Sequence, residues 1–238
     1  MKKLILLISV ILITQSLGYQ LKSGDYRVKY SYIDSAVSPT VGIHRYIAYF
    51  KNRDIKDIID LNRGIKVTVN SAKGIDILLK VLRGNSSGLV IQYKNRIPYK
   101  ISPKNESYNT IYIENIKRGY LSSPHSERIA DLKENYKKWL KHKFKNYTLR
   151  IQDSRYSNIY KEGVEISVKR GRVTKVLDIR SYKEVSRSNL DILTIKKLFG
   201  IAKWGIDSAN ISYDLKYGYP TYIKLKSGLT ISASVYNQ

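Results

Sequence analysis

The sequence predicts an α+β protein of two tandem modules, each an antiparallel sheet with strands in the order βββ-α-βββ and a helix packed on one face. Three observations carry that expectation. A set of apolar residues recurs at a fixed offset, the recurring pattern is helical and then alternating, and strand-like runs gather on both sides of one helix in each copy. Ile75, Leu78, Leu79, Leu82, Leu89, Ile91 and Tyr93 return 120 positions later as Ile195, Leu198, Phe199, Ala202, Ala209, Ile211 and Tyr213, without a gap. A repeat of that length fixes the number of modules before any motif is read. Strands in runs around a helix belong to α+β folds rather than to alternating βαβ units.

Each copy opens with a polar residue, a tyrosine and a strand, Asp25 to Tyr30 in the first and Asn146 to Ile151 in the second. A hairpin follows. In the second copy Val164, Ile166 and Val168 alternate with Glu165, Ser167 and Lys169, the period of a half-buried strand. Arg170-Gly171 makes the turn, where Gly171 suits a positive φ, and Val173, Val176, Leu177 and Ile179 carry the return strand. The first copy matches with Arg45 to Phe50, a turn at Asn52-Arg53-Asp54, and Ile55 to Leu61.

The helix comes next. Ile75, Leu78, Leu79 and Leu82, like Ile195, Leu198, Phe199 and Ala202, fall at i, i+3, i+4 and i+7, which makes one apolar face. Asn70, Ser71 and Thr194 are the candidate caps. Later strands run over Leu89 to Tyr93, Tyr99 to Ile101 and Thr110 to Ile113, against Ala209 to Tyr213, Thr221 to Leu225 and Leu229 to Ala233. Pro98 and Pro220 precede the middle strand of each set, where a missing N–H does least harm. The second copy also begins with an extra helix over Arg128 to Phe144, with Ile129, Leu132, Tyr136, Trp139 and Leu140 as its stripe. Ser123-Pro124 or Ser126-Glu127 would start it, and Lys141, Lys143 and Lys145 suit its C-terminal end.

Residues 1–18 read as a secretory signal: Lys2 and Lys3, an apolar run from Leu4 to Ile13, then Ser16-Leu17-Gly18 with small residues at −3 and −1 of a cut after Gly18. That run is too short to span a bilayer comfortably, and no cysteine follows it for a lipid anchor. The expected product is periplasmic or secreted and not a lipoprotein, with modules at 19–120 and 121–238. With no cysteine there is no disulfide, so apolar burial and backbone pairing must hold the fold. Tyrosine is abundant, 21 against three Phe, which suits exposed sheets whose rings bury while their hydroxyls stay wet.

The formal net charge is +24. It is spread over both modules, with 18 basic and eight acidic residues in 19–120 and 23 and 11 in 121–238. Such a field draws polyanions. For an exported chain these are phospholipid headgroups and envelope polymers ahead of nucleic acid, which is not the expected partner.

Catalytic constellations are not recognisable. His44, His125 and His142 lie far apart in sequence and none sits at metalloprotease spacing. Thiolate chemistry is absent without cysteine, and neither a Gly-x-Ser-x-Gly elbow nor a phosphate loop occurs. No cofactor, metal or catalytic residue is therefore expected. Two basic stretches stand out instead. Lys137, Lys138, Lys141, Lys143 and Lys145 crowd the extra helix around Tyr136 and Trp139, a candidate face for anionic lipid or polymer. Lys169-Arg170-Gly171-Arg172 offers phosphate-gripping cations at a hairpin tip. The plainer readings are the wet side of a packed helix and a polar turn.

The most distinctive string runs from Tyr213 to Ile223, between two strands. Asp214, Gly218 and Pro220 supply turn chemistry, and Tyr217, Tyr219 and Tyr222 are candidates for an aromatic contact rim.

With that string, residues from about Asp131 onward resemble a bacterial family of small exported and lipoprotein domains of unknown function. The resemblance rests on Trp139, Asn146-Tyr147, Gly171, Thr194-Ile195-Lys196-Lys197-Leu198-Phe199, and Tyr213-Asp214 with Gly218-Tyr219-Pro220 and Ile223. It implies a compact exported α+β domain and supplies no activity. Residues 20–120 share only the repeat, keeping Tyr93 and Pro98. The expected function is non-catalytic binding of an anionic envelope component or a protein. The alternatives are an envelope-polymer enzyme using Glu162, Glu165 or Asp214, and a purely structural envelope protein.

Overall fold

In the computed structural model, which describes residues 24–34, 43–52, 54–94, 97–104, 109–186 and 193–236, the alternating patterns form two antiparallel sheets. The leader at 1–18 lies outside the described residues. The chain divides into two compact units, Met1–Leu61 with Ile65–Pro124, and Asn62–Gly64 with His125–Gln238.

The first unit contains β1 (Asp25–Ile33), β2 (Ile43–Lys51), β3 (Asp54–Asp60), β4 (Ile65–Val67), helix α1 (Ile75–Leu82), β5 (Leu89–Lys94), β6 (Ile97–Pro103) and β7 (Thr110–Arg118). Its seven strands lie in the order β4-β3-β2-β1-β7-β6-β5. First and last strands pair at the centre, so α1 leaves one edge and must cross the sheet to reach the other. Its Ile75, Leu78, Val81 and Leu82 bury there against Val28, Tyr30, Ala48, Phe50 and Ile111.

The second unit contains α2 (Pro124–Lys141), β8 (Asn146–Asp153), β9 (Val164–Lys169), β10 (Arg172–Asp178), α3 (Ile195–Trp204), β11 (Asn210–Tyr213), β12 (Pro220–Lys224) and β13 (Thr230–Tyr236). Its six strands run β10-β9-β8-β13-β12-β11. Without β4, the two units have the same strand order. Leu198, Phe199 and Ala202 of α3 join Leu149, Ile151, Ile166 and Ile231 in the core.

Three local features differ from the sequence expectation. The first unit has a fourth strand before its helix, too short at three residues for alternation to reveal. Asn70 and Ser71 form a 3-10 turn rather than a cap, and α1 starts from Gly74, whose φ is +75°. A Cβ there would fall 2.5 Å from the Tyr32 ring. Thr194 does cap α3, accepting the Lys197 N–H at 3.3 Å. Finally, α2 starts at Pro124, where a missing N–H is harmless, but the residues it buries are Glu127, Arg128, Asp131 and Asn135. Leu132, Tyr136 and Trp139 pack on the core only partly, and Leu140 is 53 % exposed. Among the described residues, no helix is long and apolar enough to cross a membrane.

Candidate functional site

The Tyr213–Ile223 string forms a tight connection between β11 and β12, held from within. The Asp214 carboxylate accepts the N–H groups of Lys216 at 2.9 Å and Tyr217 at 2.6 Å. The Asp214 N–H donates to Tyr219 O, and the Gly218 N–H to Asp214 O. Gly218 has a φ of +81°, and a Cβ on it would lie 2.5 Å from the Asn135 carbonyl oxygen of α2. The loop therefore rests directly on helix backbone, and only glycine fits. From the helix side, Lys138 donates Nζ–H to Leu215 O at 3.1 Å.

A lattice of rings ties the same elements together. Trp139 meets Phe144, Tyr147 and Tyr219 at centroid distances of 5.0, 5.5 and 5.9 Å. Tyr217 packs edge-on against His142 and Phe144, with Lys216 Nζ 4.7 Å from its ring centroid. Tyr219 is buried at 5 % exposure, and its hydroxyl accepts the Val235 N–H at 3.2 Å. Burial, with the Asp214 charge nearby, pushes that hydroxyl up to about 12, so it remains neutral. Of the three tyrosines expected on a rim, Tyr217 and Tyr222 are half-buried and Tyr219 is interior.

The two basic stretches, 28 residues apart in sequence when measured from Lys141 to Lys169, lie next to each other. The hairpin tip binds the segment that follows α2: the Gly171 N–H donates to Lys145 O at 3.4 Å and the Arg170 N–H to Asn146 Oδ1 at 3.2 Å. Asn146 also pairs with Lys169 across β8 and β9. Arg170 (φ +50°) and Gly171 (φ +75°) both take the left-handed conformation a two-residue hairpin needs. Lys141, Lys143, Lys145, Lys169, Arg170 and Arg172 are all exposed. None of the six forms an ion pair among the described residues. The segments 141–146 and 168–173 contain no acidic residue. Lys137 is exposed one turn earlier on α2, while Lys138 is spent on the loop. Exposed Leu140 stands beside them.

The acidic residues weighed for catalysis are placed differently. Glu165 accepts Arg150 Nε–H at 3.0 Å on the outer sheet face, and Asp214 is taken by its own turn. Among the described residues, no three His, Asp or Glu side chains come together as a metal site.

Sequence reasoning missed one ionic cluster in the first unit. Glu114 accepts Arg45 Nε–H at 3.0 Å and Nη2–H at 2.7 Å, takes the Ser31 hydroxyl, and has Lys29 Nζ 3.4 Å away. Burial alone would raise this carboxyl, but Arg45 and Lys29 and the hydrogen bonds from Arg45 and Ser31 hold it well below the usual range. The signal available was Tyr46-Ile47-Ala48-Tyr49-Phe50, an unbroken apolar run that marks a strand buried on both faces. Lys29 and Ser31 alternate with core residues Val28 and Tyr30, so they lie on the face opposite α1.

Residues 131–231 match a family of unknown function, DUF6174. The matched segment takes in Trp139, Gly171, Thr194 and Gly218-Tyr219-Pro220. No curated protein and no solved structure matches the chain.

Proposed function

We propose that the chain is an exported, non-catalytic binding module whose second unit docks on a phosphate-bearing anionic component of the cell envelope. The observation carrying this reading is the meeting of six exposed cations, from the end of α2 with the segment after it and from the β9–β10 tip, that form no ion pair among the described residues and have no acidic residue in either segment. Exposed Leu140 at the margin suits shallow contact with a headgroup layer. Export rests on the leader pattern of residues 1–18.

Co-sedimentation of the chain lacking residues 1–18 tests it, using vesicles with and without phosphatidylglycerol and, separately, a soluble phosphodiester polymer. Capture by anionic vesicles that falls steeply with salt is expected. Arg170→Glu with Arg172→Glu should weaken it about tenfold or more. Capture of the polymer alone assigns the anion to a polymer. Binding unaffected by salt or by the double variant overturns the proposal.

A further inference from the structure

Among the described residues, three of the four sheet edges are blunted, and the fourth has no strand partner. β4 is only three residues long. β10 is covered by the segment after it: Glu184 bridges Leu177, and the Val185 N–H donates to Val176 O at 2.9 Å. At β11, the Ile211 N–H donates to the carbonyl oxygen of Asn62, which is counted with the second unit, at 3.1 Å. β5 differs from all of these. It is six residues long and pairs with β6 on one side, and no described residue pairs with the other. Its core-side residues Leu89, Ile91 and Tyr93 are only half-buried, Val90 is 43 % exposed, and Ile97 of β6 is 49 % exposed. An unpaired row of N–H and C=O groups is a template for another strand. The register to β6 skips Tyr99, so the extra residue lies on β6 and not on β5.

Charge decides the occupant. Among the described residues of 77–104 there is no Asp or Glu, but there are Lys80, Arg83, Lys94, Lys100 and Lys104. A second copy added at this edge would set like charges against each other in a chain already at +24. We infer that β5 is a strand-addition site for an extended acidic segment of a protein partner. Main-chain hydrogen bonds would supply affinity and alternate side chains the selectivity. This inference does not depend on the anion site of the second unit.

The test uses the chain lacking residues 1–18 and a peptide of alternating valine and glutamate. Its controls are the same peptide N-methylated along one edge and a valine–lysine counterpart. The acidic peptide should bind and slow hydrogen exchange at Leu89–Lys94. N-methylation should weaken it about tenfold or more, because backbone donors are lost while charge is kept. The lysine peptide should not bind. Arg170→Glu with Arg172→Glu should leave this protection in place, which separates the result from the fate of the vesicle experiment. Equal binding of the N-methylated peptide reduces the effect to charge attraction and overturns strand addition. Protection of β5 that rises with protein concentration alone assigns the edge to a second copy. Absence of protection at β5 overturns the inference outright.

Discussion

The two units share a strand order and use the face opposite the crossing helix in contrary ways. In the second, that face is wet: Arg150 pairs with Glu165 across β8 and β9, and its guanidinium lies 4.7 Å from the Tyr236 ring centroid, in the open. In the first, the same face holds Arg45 at 2 % exposure and Lys29 at 8 %, gathered on Glu114, with Ile47, Ile59 and Leu61 beside them. One topology therefore carries a surface ion pair in one unit and a desolvated one in the other. A buried pair contributes little when intact, but breaking it is costly because the remaining charges keep their desolvation penalty.

The largest effect is expected from Glu114→Gln. It leaves Arg45 and Lys29 buried without the Glu114 carboxylate, and a loss of about 3–5 kcal/mol is expected. Denaturant unfolding should show the first unit melting early. Glu165→Gln, its exposed counterpart, should shift the curve far less and only at low salt. Acidity should act through the same residue. The folded carboxyl of Glu114 sits below its unfolded value, so its contribution is intact above pH ~4–5 and is lost as pH falls below that range. Acid unfolding of the first unit that is unchanged by Glu114→Gln would contradict this.

The second contrast lies at the β11–β12 connection. Gly218 belongs to the second unit because α2 is there, and the helix backbone occupies the space of a Cβ. The matching connection in the first unit, between Lys94 and Ile97, has no Gly-Tyr-Pro string, and no helix precedes β1 among the described residues. The extra helix and the string thus form one structural unit. Gly218→Ala should cost about 2–3 kcal/mol, from its positive φ and the clash with Asn135 O. Gly171→Ala, at φ +75° with open space around it, should cost only about 1–2 kcal/mol, the conformational part alone. Equal losses in thermal melts of the two variants would mean that the helix contact contributes nothing.

Much of this architecture could be read in the sequence because it follows from period. The helix spacing at Ile75 and Ile195, the alternation at Val164–Val168 and the turn residues Arg170-Gly171, Asp214 and Gly218 each express local geometry. What could not be read depends on tertiary neighbours. A search for apolar stripes puts Leu132, Tyr136 and Trp139 of α2 inward and overlooks Arg128. Yet Arg128 is buried and donates to the carbonyl oxygens of Asn62 at 3.0 Å and Ala209 at 2.6 Å, and to that of Ile206. Those acceptors are remote in sequence, so no window contains them. The basic cluster was half legible: both stretches were visible, but only the hairpin hydrogen bonds bring them together.

The helices that cross the two sheets give the smallest and most controlled contrast. They occupy equivalent places and carry similar apolar spacing, yet they begin differently. Thr194 accepts the Lys197 N–H and satisfies one of the orphan donors of α3. α1 has no side-chain cap, and the Ser71 hydroxyl meets Thr68 instead, at 2.8 Å. Thr194→Ala should therefore cost about 1 kcal/mol, and Ser71→Ala close to nothing. Chemical denaturation resolves the difference, with Thr194→Ser as the control that keeps the oxygen. If Ser71→Ala costs as much as Thr194→Ala, the hydroxyl does cap α1, and the two helices start by one device rather than two.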